Sequence, residues 1–232
     1  MKWLRRSAGD EEMSPVELAL PEAPPPASEI PAPGLKHALG HLPRSGARVL
    51  DLGAALAANI AFFNGLGARL RIADLDASID EAGLREAPAA AWERGADELL
   101  ALPESERYDL VLAWDLPNYV GRDRWPVLVK RLTAHLAPMG AVHLMVRVGQ
   151  TMPARPCRFR IVEAGKLLED VLVAETAPAP RLPHAEVEKL HPGLVAPRSH
   201  LGKLGVQEYV LEHSERHHLP PRRVAQPRQR RA

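Results

Sequence analysis

The segment RVLDLGAALAAN, which spans residues 48–59, constrains the fold of this chain more than any other stretch. A short apolar run ends in Asp-Leu-Gly and leads into residues of helical character, which is how a nucleotide-binding strand–turn–helix begins. Such turns usually carry several glycines, because glycine allows positive φ and lets a ligand approach the backbone without meeting a Cβ atom. Here Gly53 is followed by alanines. The segment predicts an open α/β sheet with a ligand near this turn, and it raises the question of whether the alanines leave room for that ligand.

Runs of β character alternate with helical periodicity along the middle of the chain, which indicates a sheet with crossover helices. The predicted strands are ARVLDLG, ARLRIAD, a weak third strand near residues 87–96, YDLVLAW, AVHLMVRV, CRFRIVEAG and GVQEYVLE. The predicted helices are LAANIAFFNGLG, residues 123–135 and HAEVEKL. Ser78 and Glu81 have the spacing of a capping box, so we also predict a helix start at Ser78. Asp123 is the predicted N-cap of the helix over residues 123–135.

The two ends of the chain differ from the middle in composition. Residues 1–34 hold seven of the 23 prolines, and residues 214–232 hold six Arg against one Glu. Neither end has enough large apolar residues to offset the entropy of ordering. We therefore predict a flexible Pro-rich tail over residues 1–34, a folded domain over residues 35–213 and a disordered basic tail over residues 214–232. The basic tail is expected to make at most weak, salt-dependent contact with a polyanion such as RNA.

Composition excludes several classes of protein and site. The net charge of +1 over 232 residues does not commit the whole chain to nucleic acid or to an anionic membrane. Cys157 is the only cysteine, which excludes a disulfide or a thiolate metal site built within one chain. No apolar signal core and no span long enough to cross a bilayer are present, so we expect a cytoplasmic protein without membrane insertion. The ten histidines show no H-E-x-x-H or comparable spacing, and no metal site is expected.

The order of these motifs resembles the class I S-adenosylmethionine-dependent methyltransferases. The resemblance covers residues 35–213 and rests on the Asp-Leu-Gly turn, the strand that ends in Asp74, the stretch YDLVLAWD and the segment LAPMG. It implies a Rossmann-like α/β fold with a mostly parallel, seven-stranded sheet flanked by helices, and S-adenosylmethionine as cofactor. A Rossmann dehydrogenase is the rival within this fold, but it needs G-x-G-x-x-G to hold a pyrophosphate, and only Gly53 is present.

The cofactor-binding residues follow partly from spacing and partly from the resemblance. Asp74 comes 21 residues after Gly53, a placement that suits hydrogen bonds from two ribose hydroxyls, although it could instead start the following turn. The resemblance implies that Asp51 lies near the methionine end of the cofactor, with Gly53 giving backbone access. It also implies that Ala55 lies where the loop passes closest to the methionine portion, and that Asp115 lies beside the cofactor's amino group.

Two further roles stay open at the level of the sequence. The resemblance matches Asp97 to the acidic position that meets the adenine amino group, although Glu98 could align there and Asp97 could equally be a helix N-cap. Methyl transfer is an in-line displacement that relies on positioning and desolvation, so no catalytic residue is assigned. A base could come from Asp115, Tyr119 or His143, although His143 in a buried strand is more often a core residue.

Ala55 and Ala57 stand at the second and third glycine positions of the family's usual turn. Ala57 falls in the first helical turn, where alanine is the better helix former by about 1 kcal/mol, so this change is expected to be harmless. The methyl group of Ala55 is the departure that could hinder cofactor binding. Two functions therefore remain: a methyltransferase of unknown substrate, and a catalytically inactive methyltransferase-fold protein that acts as a binding or scaffold module.

Overall fold

The computed structural model describes residues 23–202 and 205–215. The strands are β1 (Ser28–Pro31), β2 (Arg48–Asp51), β3 (Arg69–Ile72), β4 (Tyr108–Trp114), β5 (Leu136–Arg147), β6 (Thr151–Pro153), β7 (Arg158–Glu163), β8 (Lys166–Asp170), β9 (Thr176–Pro178), β10 (Leu194–Leu201) and β11 (Val206–His213). The helices are α1 (Pro33–Leu39), α2 (Ala57–Gly65), α3 (Leu75–Glu81), α4 (Ala89–Leu99), α5 (Pro117–Val120), α6 (Trp125–Ala134) and α7 (His184–Lys189). No helix of this described part is long and apolar enough to span a membrane.

A six-stranded sheet in the order β10-β11-β5-β4-β2-β3 forms the centre of the fold. Strands β3, β2, β4 and β5 run parallel, and β11 is antiparallel to both β5 and β10. After β2 the chain moves to one side to form β3, and it then returns across β2 to form β4. The strand order therefore reverses at β2, which is where open α/β sheets bind ligands, outside the carboxyl ends of the strands. The predicted Rossmann-like α/β class is confirmed.

The predicted number of seven strands in this sheet is wrong, and so is the predicted third strand. Residues 87–96 fall largely in α4, whose Trp92, Ala96 and Leu99 repeat with helical spacing and are buried. The predicted strand CRFRIVEAG exists as β7, but it belongs to a separate antiparallel sheet in the order β1-β8-β7. The edge of the central sheet is instead β10, which the sequence did not predict.

Strand β4 is the buried centre of three layers. Its Val111 and Ala113 pack into the core on the side of α3, α4, α6 and α7, whereas Leu110 and Leu112 pack into the core on the side of α1, α2 and the three-stranded sheet. Alternation between two apolar faces is typical of a parallel strand covered on both sides. Each fully buried leucine contributes about 1.5–3 kcal/mol relative to an exposed one. The carboxyl end of β4 is thereby fixed in position.

The three-stranded sheet is attached to the helix that follows the Asp-Leu-Gly turn. The side-chain amide of Asn59 in α2 donates to the carbonyl oxygen of Phe159 at 3.0 Å, and its Oδ1 accepts the N–H of Ile161 at 2.8 Å. Asn59 is buried, and it satisfies two backbone groups of β7 that would otherwise lack partners. The contact places β7 and the residues before it beside the turn after β2.

Residues 28–31 and 33–34, which fall within the predicted Pro-rich tail over residues 1–34, form β1 and the start of α1. Ile30 is buried in the core on the α1 side of the sheet. The backbone N–H groups of Gly34 and Leu35 donate to the carboxylate of Glu208 on β11, at 3.2 and 3.0 Å. Residues 1–22, and residues 216–232 of the predicted basic tail, lie outside the described residues.

Both predicted helix caps are wrong. Helix α3 begins at Leu75, so Ser78 lies within the helix, where its hydroxyl donates to the carbonyl oxygen of Ala73. Helix α6 begins at Trp125 with Arg124 as N-cap and has no side-chain cap, so Asp123 does not fill that role. Helix α6 lies within the predicted helix over residues 123–135, and its buried residues recur at helical spacing: Trp125, Leu128, Val129 and Leu132.

Candidate functional site

A cavity of about 370 Å³ lies where the central strands end. Gly53 follows β2, Asp74 follows β3 and Asp115 follows β4, and all three residues line it. The carboxyl ends of parallel strands meet at one edge of a sheet, so the topology brings these three residues together from distant parts of the sequence. The volume falls within the range of small-molecule sites, about 300–1,000 Å³.

Two residues in the cavity wall have strained backbones. Asp74 has a φ of 38° and Trp114 has a φ of 49°, and they are the only non-glycine residues with positive φ in the part of the chain that the structure describes. A left-handed conformation costs an L-residue roughly 1–2 kcal/mol, and it is unusual for an aromatic residue. Such strain tends to occur at functional sites, where the surrounding structure enforces it.

Trp114 fills the space above the Asp-Leu-Gly turn. Its indole Nε1–H donates to Oδ1 of Asp51 at 2.6 Å, and its ring stacks on Phe159 with a centroid distance of 5.5 Å. A Cβ atom added to Gly53 would lie 2.8 Å from the indole. A side chain at position 53 would therefore clash with Trp114, and its absence also leaves room for a ligand near the backbone.

Asp51 organises the turn from behind this indole. It is buried, and the same Oδ1 that accepts from Trp114 also accepts the backbone N–H of Gly53 at 2.9 Å. Burial raises the pKa of Asp51, while these two hydrogen bonds oppose the rise. Asp51 is not among the residues that line the cavity, because Trp114 covers it.

A buried ionic cluster lies beneath the floor of the cavity. Nη2 of Arg147 donates to Oδ2 of Asp115 at 3.0 Å, to Oε1 of Glu169 at 2.5 Å and to Sγ of Cys157 at 3.1 Å. Two carboxylates thus share one guanidinium group. The backbone N–H of Cys157 also donates to Oδ2 of Asp115 at 3.3 Å. All four residues are buried, so the cluster holds Asp115 in one orientation.

Asp115 combines burial with a free acceptor atom. Its Oδ1 has no hydrogen-bond partner among the described residues, whereas Oδ2 is fully used by Arg147 and Cys157. Burial raises the pKa of Asp115 to about 6, although the nearby Arg147 opposes the rise. A carboxyl group with that pKa can exchange a proton near neutral pH. Cys157 is no nucleophile in this setting, since burial raises the pKa of its thiol far above the ordinary value.

The other two predicted base candidates do not line the cavity. The hydroxyl of Tyr119 donates to the carbonyl oxygen of Pro153 at 3.1 Å, and burial raises its pKa. Nε2 of His143 lies 2.8 Å from Oε2 of Glu208 in the core on the α1 side of the sheet. Of the three candidates, only Asp115 borders the space where a substrate could bind.

Two more residues predicted to bind cofactor lie outside the cavity wall. Ala55 is exposed to solvent before α2 begins, and its neighbour Ala54 lines the cavity in its place. Asp97 lies on the outer face of α4, where its side chain is 79% exposed and pairs with Arg131. Glu98, the alternative to Asp97, is exposed on the same helix and does not line this cavity either.

The structure also brings to the site residues that the sequence analysis missed. Arg155 lines the cavity and pairs with Asp80 at 3.1 Å and with Asp76 at 3.5 Å. Arg155 precedes β7 of the second sheet, which places it beside α3. No local sequence pattern predicts this long-range contact. Trp114 could have been identified from the sequence, because it is a large aromatic residue directly before Asp115 at the end of the central strand.

The chain is similar to several solved structures of methyltransferases. One is the glycopeptide N-methyltransferase MtfA complexed with S-adenosylmethionine, at 14% identity and a TM-score of 0.45, over 78% of this chain and 92% of that chain. Another is a Burkholderia thailandensis 1,6-didemethyltoxoflavin N1-methyltransferase with bound S-adenosylhomocysteine, at 21% identity and a TM-score of 0.41, over 77% and 73%. A third is the CcbJ methyltransferase from Streptomyces caelestis, at 18% identity and a TM-score of 0.44, over 78% and 95%.

No protein-family model and no curated protein matches the chain. The assignment of the fold rests on the strand order and register of this chain itself. What the cavity can bind follows from the residues that line it.

Proposed function

We propose that this chain is an S-adenosylmethionine-dependent methyltransferase whose methyl acceptor is not defined. The observation that carries the proposal is the joint position of Gly53, Asp74 and Asp115 around one cavity at the point where the strand order reverses. Ligands of open α/β sheets bind at this point.

The charge of the cavity distinguishes this ligand from a dinucleotide. Five carboxylate side chains line the cavity, against the guanidinium groups of Arg155 and Arg158 in its wall and those of Arg85 and Arg147, which pair with three of the carboxylates from behind it. A pyrophosphate would be repelled by this excess of negative charge. S-adenosylmethionine carries a sulfonium, an ammonium group and no phosphate, so the same charge attracts it.

The chain's own polar groups fit such a ligand. Asp74 makes no side-chain capping bond to α3, which leaves its carboxylate available for the two ribose hydroxyls. Oδ1 of Asp115 is a buried acceptor without a partner among the described residues, and an ammonium group would satisfy it. The backbone at Gly53 and Ala54 would form the wall against the remaining part of the ligand.

When bound, S-adenosylmethionine supplies an electrophilic methyl group. The chain's contribution is to exclude water and to hold the acceptor in line with that group. Asp115 would orient the cofactor by accepting its ammonium group at Oδ1, and its pKa of about 6 leaves it mostly ionised at pH 7. We assign no residue to proton removal from the acceptor.

Calorimetric titration with S-adenosylmethionine and S-adenosylhomocysteine tests the proposal. The Asp74→Asn variant keeps the shape of the side chain but removes its charge, so we expect at least tenfold weaker binding of both ligands, on the order of 1.5–3 kcal/mol for charged hydrogen bonds. Asp123→Asn is the matched control, because Asp123 is exposed and does not line the cavity. Failure of the folded natural protein to bind either ligand at millimolar concentration would contradict the proposal.

Two subsidiary proposals rest on composition. A single cysteine supports a reducing compartment, and we place the protein in the cytoplasm on that ground. The six arginines of residues 214–232 support weak contact with a polyanion.

A further inference from the structure

A second cluster of polar side chains lies on α1 and β11. His37, His41 and Glu212 each offer one ligand atom, and these atoms lie within 4.8 Å of one another. None of the three lines the cavity described above. Two imidazoles and a carboxylate form one of the donor sets that proteins use for zinc.

The way in which α1 crosses β11 explains the cluster. Glu208 accepts the N–H groups of Gly34 and Leu35 and so fixes the beginning of α1. Glu212 follows four residues later on the same strand and hence on the same face, roughly 13 Å along it. The seven residues of α1 extend roughly 10 Å, so the end of the helix reaches the region of Glu212.

The spacing of the two histidines matches a shared ligand. His37 and His41 are four residues apart, and the turn at Gly40 continues the helical path, since the N–H of His41 bonds to the carbonyl oxygen of Ala38. Their Nε2 atoms lie 3.3 Å apart. Two nitrogen ligands of a tetrahedral zinc ion, each at about 2.0–2.1 Å from the metal, lie about 3.4 Å from each other.

We propose that His37, His41 and Glu212 bind a divalent transition-metal ion, with Zn²⁺ as the ion that this donor set favours. An oxygen of Glu212 lies within 4.8 Å of both imidazoles, and water would complete the coordination from the exposed side of His41. The bound ion would join α1 to the β11 side of the sheet, so its role would be structural and separate from methyl transfer. The relevant pattern in the sequence is H-x-x-x-H in HALGH, which lacks the glutamate of H-E-x-x-H.

Neighbouring groups bear on the affinity of this site. Arg198 and His200 on β10 are paired with Val210 and Glu208, so they share the face of β11 on which α1 lies. Arg198 adds a positive charge that opposes a cation. His200 is opposite Glu208, four residues along β11 from Glu212, so it does not belong to the ligand set.

A competing arrangement gives the same distance without a metal. One neutral imidazole can donate its Nε2–H to the other, and 3.3 Å is acceptable for that hydrogen bond. A metal site binds added zinc tightly, whereas a hydrogen-bonded histidine pair does not. The test is therefore a titration of the metal-free protein with Zn²⁺ alone. Elemental analysis of the protein as purified, and the visible absorption of the Co²⁺-loaded protein, accompany the titration.

We expect one Zn²⁺ per chain and a tetrahedral Co²⁺ spectrum. His41→Ala and Glu212→Gln should each weaken zinc binding at least tenfold. His184→Ala is the matched control, because the exposed His184 lies 3.6 Å from Glu188 at i, i+4 spacing and belongs to no three-ligand cluster among the described residues. Arg198→Gln should tighten binding.

Two controls keep the outcome decisive. His217 and His218 lie outside the described residues and could bind zinc themselves, so the titration is repeated in the His217→Ala/His218→Ala double variant. His41 is exposed, so His41→Ala is expected to fold, and its circular dichroism verifies this. Equal zinc affinity in the natural protein and in His41→Ala would overturn the proposal. Normal zinc binding by Asp74→Asn would show that the metal site is independent of the cofactor site.

Discussion

Trp114 determines how the alanines of the turn after β2 are to be interpreted. Its indole covers Asp51 and contacts Gly53, so the close approach that demands glycine is made by a side chain of the protein itself. The methyl group of Ala55 is exposed, while that of Ala54 faces the cavity. Ala57 is the first residue of α2, so it lies in the first helical turn, where the sequence analysis placed it. Of the alanines in this turn, only Ala54 therefore borders the cavity.

This placement predicts different outcomes for two neighbouring substitutions. Ala55→Gly should leave the affinity for S-adenosylmethionine within about twofold of the natural value, because the removed methyl group points to solvent. Ala54→Leu should weaken binding at least tenfold, because overpacking costs about 1–3 kcal/mol where atoms cannot move apart. Calorimetry on both variants checks this. A large gain in affinity from Ala55→Gly would show that the second glycine position does matter.

Among the helices and strands, the sequence predicted the ones whose apolar pattern lies entirely within their own segment. The apolar spacing of Trp125, Leu128 and Leu132 revealed α6, and the apolar run of YDLVLAW revealed β4. Helix α4 was missed because its apolar face becomes periodic only when the window extends from Trp92 to Leu99. The helix starts were misjudged because neither α3 nor α6 uses a side-chain cap, so no residue type marks them.

Pairing between elements was beyond the reach of the sequence. Strand β7 belongs to the second sheet through its pairing with β8, and it contacts α2 through Asn59, a hundred residues away. The same holds for the site: Gly53, Asp74 and Asp115 follow predicted strands and could be found, whereas Arg147 and Glu169 reach Asp115 only through tertiary packing.

The attachment of the second sheet to α2 can be tested through Asn59. Asn59→Ala leaves a carbonyl oxygen and an N–H group of β7 without partners, and each buried orphan costs about 1–3 kcal/mol. We expect the free energy of unfolding to fall by about 2–4 kcal/mol in urea denaturation. Asn64→Ala on the exposed side of the same helix is the control and should change stability by less than about 0.5 kcal/mol. Similar losses in the two variants would contradict the role given to Asn59.

For the whole molecule, two buried groups give opposite dependences of stability on pH. Burial lowers the pKa of His191 to about 4 and raises that of Asp115 to about 6. As the pH falls from about 6.5 to 4, the unfolded chain binds a proton at His191 that the folded chain does not, so stability is lost. As the pH falls from 6 to the ordinary carboxyl value of 3.8, the folded chain binds a proton at Asp115 first, so stability is gained. The two effects largely cancel in the natural protein.

Removing one of the two groups should therefore reveal the other. His191 accepts the indole N–H of Trp125 at 2.8 Å and donates to the carbonyl oxygen of Val187 at 2.6 Å, so it joins α7 to α6 in its neutral form. Glutamine can make both bonds without titrating, and His191→Gln should thus remove the loss of about 3 kcal/mol that His191 contributes between pH 6.5 and 4, so that the free energy of unfolding of the variant rises with acid relative to that of the natural protein. Urea denaturation at several pH values measures this, with His184→Gln, at an exposed histidine of α7, as the control. If the free energy of unfolding of His191→Gln had the same pH dependence as that of the control, His191 would not be the group that couples stability to pH.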